Sequence, residues 1–330
     1  MHILNFYIHG NSLQFSTNTS AIAESAKFLL RYFPVNSIKG AAGLSLSLHG
    51  VPLPSDIPLA LSAEAICLSA PKNQARIDVH NAVYQDQGRL IFDSRSSGYL
   101  FVIDQHLGHV EGYIVDPENV PSELRMNLIH LALQNILKRK GYFTLHATSL
   151  EKNGRAVLIP GNSGRGKTTA FLSLLRSGYR CLSDDHPLVH ENGNGLNIYS
   201  FPEKVDVTED SIEFFPELRS AREYIHPGMR KPYFLIENVY SEGLATSCKP
   251  GLIIFPQVMD RPTSVLERVS GTQALDSLIR ESFLPRGNDI AKQEFHLLSK
   301  LVKQSSCYRL LFGQDVLDLP RLIDPLMERW

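Results

Sequence analysis

Residues Ala156 to Thr168 read Ala-Val-Leu-Ile-Pro-Gly-Asn-Ser-Gly-Arg-Gly-Lys-Thr, and this segment sets the fold class to expect. From Gly161 onward it follows the pattern Gly-x-x-x-x-Gly-Lys-Thr. About one chain in a hundred of this length would contain the pattern by chance. The apolar residues before the glycines predict a strand, and Thr169 to Leu175 predict a helix after them. The segment therefore predicts a phosphate-binding loop between a strand and a helix.

Each residue type in this loop has a physical task. The glycines permit positive φ and close approach, so backbone N–H groups and the helix N-terminus converge on negative charge. Lys167 supplies a positive charge for the β- and γ-phosphates, and the Thr168 hydroxyl is a ligand for Mg²⁺. The sequence thus predicts ATP and Mg²⁺ as cofactors. The expected nucleotide-binding residues are Gly161, Asn162, Ser163, Gly164, Arg165, Gly166, Lys167, Thr168 and Thr169.

Two adjacent carboxylates follow the loop and its helix. After a turn at Gly178 the chain runs through Tyr-Arg-Cys-Leu-Ser to Asp184 and Asp185. A strand that directly follows the phosphate-loop helix is expected near the loop strand, which brings both carboxylates close to the terminal phosphate. One carboxylate can hold Mg²⁺ and the other can orient or deprotonate a hydroxyl. Taken alone, an Asp pair is as often a solvated strand end, but the neighbouring loop favours the functional interpretation.

The order of strand and helix signals divides the chain in two. The first half predicts a helix over Ser20 to Phe33, an antiparallel meander, and a strongly amphipathic helix that stops at Gly141. The second half alternates strands and helices, which predicts an α/β sheet covered by helices. We therefore expect a smaller α+β N-terminal domain over residues 1–141 and an α/β phosphate-loop domain over 142–330. Residues 191–249 show no clean period and predict mobile or substrate-facing loops.

Composition excludes several classes of protein. The chain is 43% hydrophobic and 20% charged with a formal net charge of -1, which is ordinary for a soluble globular protein. No block of like charges is present that could neutralise a nucleic acid, and no apolar run reaches the ~18 residues that span a membrane. We expect a cytoplasmic protein with neither nucleic acid nor membrane as partner; the sequence leaves a homo-oligomer open.

The segment from Leu145-His146-Ala through the loop to Asp184-Asp185 resembles the catalytic half of HPr kinase/phosphorylase. That family shares its fold with the phosphoenolpyruvate carboxykinases. The shared features are the order histidine, phosphate loop, paired Asp and the short intervals between them. Without the resemblance, a lone histidine in an apolar run is more often a core residue. The resemblance implies that His146 contacts the catalytic aspartate, that Asp184 is the base, and that Asp185 is a metal ligand with Thr168; Lys167 completes the catalytic set.

The resemblance also has a limit that bears on substrate. The Glu-x-Arg-Gly-Leu-Gly signature that HPr kinases carry after the aspartates is missing, so neither HPr as substrate nor the reverse phosphorylase activity is implied. The chain is more similar to the HPr-kinase-like proteins of ribosomal peptide clusters, especially lasso peptide clusters. That similarity implies transfer to a serine hydroxyl of a precursor peptide or protein. The alternatives are a free small-molecule acceptor, such as an amino acid or sugar, and a nucleotide-dependent switch or scaffold.

Two further groups are candidates on weaker signals. Arg230 and Lys231 could contribute positive charge to the phosphates or to an acidic substrate, although a solvated basic pair explains them as well. His186 and His190 flank Pro-Leu-Val and suggest a metal site. On one strand these two histidines would lie about 13 Å apart, which is too far for a shared ion.

Overall fold

The structure is a computed structural model that describes residues 1–38, 40, 42–58, 61–69, 82–104, 108–162, 164–223, 231–281 and 288–329. It is a mixed α/β protein with two compact units, one formed by Met1–Lys140 and the other beginning at Gly141. Within the described ranges, no helix combines the length and the apolar character needed to cross a membrane.

The described residues of the first unit form an eight-stranded sheet and two α-helices. Its elements are β1 His2–Ile8, β2 Asn11–Thr17, α1 Ser20–Leu29, β3 Leu44–Val51, β4 Ile66–Ser69, β5 Ala82–Asp86, β6 Arg89–Ser94, β7 Tyr99–Asp104, β8 His109–Val115 and α2 Ser122–Arg139, with 3₁₀ turns at Pro54–Asp56 and Arg95–Ser97. The strand order is β1-β2-β3-β8-β7-β6-β5-β4. Strands β5 to β8 form the antiparallel meander that the sequence predicts. Strand β3 is parallel to both β2 and β8, which the local pattern did not indicate.

Helix α1 begins where its cap predicts and ends earlier than its apolar pattern predicts. The Thr19 hydroxyl accepts a hydrogen bond from the Ile22 N–H at 3.3 Å, which is an N-cap. The last helical residue is Leu29, whereas the apolar pattern continues to Phe33. Phe33 N–H instead donates to Leu30 at 2.9 Å in a tighter turn before Pro34. Because proline disfavours the α conformation of the residue before it, the final turn cannot stay α-helical.

The second unit is built on a nine-stranded sheet. Its elements are β9 Phe143–Thr144, β10 Ala147–Lys152, β11 Arg155–Pro160, α3 Lys167–Arg176, β12 Arg180–Ser183, β13 Leu188–Asn192, β14 Gly195–Tyr199, β15 Val205–Asp206, α4 Glu209–Phe214, β16 Tyr233–Phe234, α5 Ile236–Val239, β17 Ser247–Val258, β18 Val265–Arg268, α6 Gly271–Glu281, α7 Asn288–Lys303, β19 Ser306–Phe312 and α8 Leu319–Met327, with 3₁₀ segments at Pro216–Glu223 and Val316–Asp318. The main path is β12-β10-β11-β17-β14-β13-β9, with β19 on β17 and β18 on β19.

The directions of the central strands bring distant parts of the chain to one end of this sheet. Strands β11, β17 and β19 are parallel, and β10 is antiparallel to both β11 and β12. Strands β11 and β12 therefore point the same way. The residues that follow them and the residue that precedes β10 meet at the carboxyl end of the parallel strands, where α/β sheets bind ligands.

Helices cover both faces of the central sheet. On one face α3 contributes Phe171 and Leu174 to a buried cluster with Ile254 of β17 and Leu310 of β19. On the other face α6 and α7 form a second buried cluster with Leu158 of β11. Burial on both faces explains why β11 is continuously apolar rather than alternating. Each fully buried side chain of this kind contributes about 1.5–3 kcal/mol.

The segment without a clean period, residues 191–249, contains ordered elements. Strands β15 and β16 have two residues each, and α4 and α5 have six and four. Phe201 and Phe215 are almost completely buried there. Elements this short hold too few residues for a period of two or 3.6 to be visible, so the sequence could not predict them.

Candidate functional site

The loop after β11 has the backbone conformation that its glycines predict. Gly161, Gly164 and Gly166 have φ angles of 149°, 80° and 89°. A Cβ at Gly166 would lie 2.7 Å from Phe312 and 3.3 Å from Val258. Glycine is therefore required at this position both by the left-handed φ and by packing on the carboxyl ends of β17 and β19. Ser163, also predicted to bind nucleotide, lies outside the described residues.

Helix α3 starts directly after Gly166. Lys167, Thr168 and Thr169 form its first turn and are half-buried, and no acidic side chain occupies that turn. The first intrahelical hydrogen bond runs from the Ala170 N–H to the Gly166 carbonyl at 2.9 Å. The N–H groups of the first turn have no intrahelical acceptor, and the helix dipole places partial positive charge on them. This arrangement suits an anion such as a phosphate.

Three of the predicted site residues contact one another. Lys167 Nζ lies 3.2 Å from Asp185 Oδ1 and 3.1 Å from His146 Nε2. His146 Nδ1 lies 3.3 Å from the same Asp185 oxygen. Because an ammonium group only donates, His146 Nε2 accepts from Lys167, and the proton of a neutral ring is then on Nδ1, which faces Asp185. The resemblance implies a contact between His146 and the first aspartate, whereas this contact is with the second.

Backbone contacts from β10 fix the turn that carries the two aspartates. The Thr148 hydroxyl donates to the Asp184 carbonyl at 2.6 Å, and the Ala147 N–H donates to the Asp185 carbonyl at 3.0 Å. The Ser183 hydroxyl accepts from the His186 N–H at 2.9 Å. These bonds hold both carboxylates beside the phosphate loop without using their side chains.

The carboxylate of Asp184 is in an unfavourable environment. Its Oδ1 is buried and has no hydrogen-bond partner among the residues that the structure describes. Burial raises the pKa of Asp184 well above its usual range. The negative charges of Asp185, Glu203 and Asp206 raise it further, and the positive charge of Lys167 opposes them. A carboxyl group with a raised pKa is a stronger base than an exposed one.

His186 and Glu203 also belong to this site; the sequence singled out His186 only in a pair with His190, and it did not indicate Glu203. His186 Nδ1 lies 3.0 Å from Glu203 Oε2, and Nε2 lies 3.7 Å from Asp185 Oδ2. Burial lowers the pKa of His186, but the charge and hydrogen bond of Glu203 and the charge of Asp185 outweigh burial and raise it to about 9.

The position of His186 follows from where the next strand begins. Strand β13 starts at Leu188, so His186 lies in the turn before it rather than on the strand. His190 is on β13, where Nδ1 lies 2.9 Å from the Gly141 carbonyl and the ring stacks on Tyr142 at 4.0 Å. The sequence pattern pairs His186 with His190, whereas its neighbours in the structure are Asp185 and Glu203. Glu203, 17 residues further along, carried no sequence signal.

The donor atoms at this site suit Mg²⁺. Asp185 offers a half-exposed carboxylate. The Thr168 hydroxyl is in the adjoining first turn of α3. Oxygen ligands are those that Mg²⁺ prefers. One ligand atom each from His146, Asp185 and His186 lies within 4.8 Å of the others, so imidazole nitrogens are also at hand.

The predicted substrate residues are less informative. Lys231 is exposed, and the described contacts give it no link to the site. Arg230 lies outside the described residues. Their role in substrate binding stays a prediction.

Comparison with known proteins gives one consistent similarity. No family model matches the chain. Two curated relatives match, the HPr kinase/phosphorylases of Limosilactobacillus reuteri strain DSM 20016 and of Limosilactobacillus reuteri subsp. reuteri strain JCM 1112. Each is 35% identical over 69 residues, which is 21% of this chain and 21% of the relative. The match therefore spans about a fifth of the length of these relatives.

A solved structure is similar over a longer stretch. The Hpr(Ser) kinase/phosphatase from Coxiella burnetii aligns with 56% of this chain and 94% of its own, at 15% sequence identity and a TM-score of 0.31. The chain is thus similar in sequence to HPr kinase/phosphorylase over a short segment.

Proposed function

We propose that this protein is a cytoplasmic ATP- and Mg²⁺-dependent kinase of the HPr kinase and phosphoenolpyruvate carboxykinase fold type. Its acceptor is a serine hydroxyl of a peptide or protein, with a ribosomally made precursor peptide of the lasso type as the specific candidate. One observation carries the proposal. Lys167 of the phosphate loop lies 3.2 Å from Asp185, and the neighbouring Asp184 has a buried carboxylate oxygen with no partner in the described structure.

The loop and helix α3 bind and orient the nucleotide. The N–H groups of the glycine turn and of the first turn of α3 donate hydrogen bonds to the phosphates, and Lys167 pairs with the β- and γ-phosphates. Asp185 and the Thr168 hydroxyl would hold Mg²⁺, which would offset negative charge on the phosphate oxygens. His146 accepts from Lys167 and its Nδ1 faces Asp185, so it contacts and orients both side chains.

Asp184 acts on the acceptor. Its carboxylate takes the proton of the serine hydroxyl as the serine oxygen forms its bond to the γ-phosphorus. The bond between that phosphorus and the β–γ bridging oxygen breaks, and ADP leaves with the electron pair. The raised pKa of Asp184 favours this proton transfer, because a more basic carboxylate accepts a proton more readily. The relatives that match this chain in sequence are HPr kinase/phosphorylases, which supports the same class of reaction.

The acceptor can be identified directly. The protein is incubated with γ-labelled ATP, Mg²⁺ and the peptides encoded beside its gene, and the products are read by mass spectrometry for an added phosphate. We expect one peptide to gain phosphate on serine, and the same peptide with that serine replaced by alanine to gain none. Phosphate found instead on a free amino acid or sugar would favour a small-molecule kinase. Release of inorganic phosphate with no phosphorylated acceptor would favour a nucleotide-dependent switch.

A further inference from the structure

We propose that His186 and Glu203 are positioning residues that hold Asp185 for the metal–nucleotide complex; this inference rests on the proposed function. The two carboxylate oxygens of Asp185 have different neighbours. Lys167 and His146 share Oδ1, at 3.2 and 3.3 Å. Oδ2 faces Nε2 of His186 at 3.7 Å, which is within ion-pair range.

Glu203 fixes the ring that faces Oδ2. Its Oε2 lies 3.0 Å from His186 Nδ1, so each ring nitrogen faces a carboxylate. The backbone N–H of His186 is bonded to the Ser183 hydroxyl at 2.9 Å. The imidazole is therefore held at its backbone and at one ring nitrogen, with the other nitrogen directed at Asp185.

A contact to Oδ2 of Asp185 becomes more important once nucleotide binds. Lys167 is then attracted to the β- and γ-phosphates, which weakens its ion pair with Asp185 Oδ1. The Asp185 side chain is 39% exposed, and His146 then remains on Oδ1 alone, so a contact at Oδ2 limits rotation of the carboxylate. His186 takes its orientation from Glu203 and not from the nucleotide, so it can keep Asp185 aligned in both states. Residues that orient a metal ligand in this way typically contribute 10–100-fold to metal affinity or activity.

Two substitutions at one position separate positioning from simple folding. In His186→Gln the amide nitrogen reaches about as far as Nε2 and can still face Asp185. In His186→Asn it reaches only about as far as Nδ1 and can face Glu203 but not Asp185. Titration calorimetry with ATP, in Mg²⁺ and again in EDTA, isolates the part of the affinity that depends on metal.

We expect His186→Asn to weaken ATP binding in Mg²⁺ by about 10–100-fold while binding in EDTA stays unchanged. His186→Gln should recover most of that loss, and Glu203→Gln should weaken binding in Mg²⁺ by about 10-fold. His190→Gln is the matched control, because it removes another partly buried, hydrogen-bonded histidine that contacts Gly141 instead of the site. It should leave both affinities unchanged.

The proposal is overturned if the Asn and Gln variants bind ATP alike in Mg²⁺, or if both lose affinity equally in Mg²⁺ and EDTA. A merely structural role for His186 would lower the melting temperature of both variants without this split. The measurement needs no acceptor. A wild-type protein that binds ATP in a metal-dependent way but phosphorylates nothing would defeat the proposed kinase function and leave this positioning test intact.

Discussion

The carboxylates at the two ends of strands β10, β11 and β12 differ in their hydrogen bonding. At one end the buried carboxylate of Glu151 accepts from Arg180 at 2.6 Å and from the Gly154 N–H at 2.6 Å. Beside it, Asp324 accepts from Lys152 at 2.8 Å and from Tyr179 at 2.7 Å. At the other end, Asp184 keeps a buried oxygen with no partner in the described chain. We call the end with Glu151 and Asp324 the satisfied end, because both carboxylates have hydrogen-bond partners. We call the end with Asp184 the unsatisfied end.

The difference supports the proposed site at the end that carries Asp184. An unpaired buried acceptor costs about 1–3 kcal/mol, which is a large fraction of a marginal folding free energy. A polar network that is complete needs no ligand to explain it. A carboxylate left without a partner is explained when a ligand or a reacting proton completes it.

The largest effect should come from Lys167 at the unsatisfied end. Replacing Lys167 with methionine keeps the length of the side chain and removes its charge. Because a cation at the transferring phosphoryl group contributes on the order of 10³–10⁵ in rate, kcat/KM for transfer should fall by about that factor. Lys152→Met is the matched control at the satisfied end and should leave transfer per folded molecule unchanged. Equal losses in the two variants would contradict the assignment of function to one end.

A smaller effect of a different kind is expected at the satisfied end. Arg180→Ala leaves the Glu151 carboxylate with the Gly154 N–H as a remaining partner. Because Glu151 is buried and Arg180 is half-exposed, the free energy of unfolding should fall by about 1–2 kcal/mol. Chemical denaturation measures this loss, and transfer at low temperature should stay at the wild-type rate. Arg280→Ala, which breaks an exposed pair with Asp276, should change stability far less.

Much of the unsatisfied end could be predicted because its signals are local. The loop glycines, Lys167 and the two aspartates lie within one stretch of strand, helix and strand, and each carries a pattern or a motif. Which of the two aspartates His146 contacts could not be predicted, because this depends on side-chain rotamers at a strand end. Glu203 could not be predicted either. It lies in a segment without a period, and it contacts His186 only because the fold brings together residues that are 17 positions apart.

The parallel pairing of β3 could not be predicted from the sequence for a related reason. Its partners β2 and β8 are distant in the sequence, and an alternating strand looks the same whether its neighbours run parallel or antiparallel. The meander of β5 to β8 could be predicted, because short turns such as that at Gly88 require antiparallel neighbours. Local order was therefore predictable, and long-range pairing was not.

The smallest effect concerns the stability cost of Asp184. Its pKa is higher in the folded than in the unfolded protein, so the folded state holds more protons between those two values and loses stability as pH rises through them. Asp184→Asn removes that loss. We expect the melting temperature at pH 8 to rise by about 2–4 °C, measured by calorimetry, and the gain to shrink at pH 5. A lower melting temperature at pH 8 would mean that the carboxylate is compensated in the folded state.

The central claim is that Asp184 performs proton transfer and does not bind nucleotide. Its most direct test is to measure, on Asp184→Asn and on the exposed control Asp276→Asn, both the ATP dissociation constant in Mg²⁺ and the rate of phosphate transfer to the identified acceptor. We predict that Asp184→Asn binds ATP within a few-fold of wild type and transfers phosphate about 10²–10⁴-fold more slowly, while the control matches wild type in both. Transfer by Asp184→Asn at the wild-type rate would contradict the account.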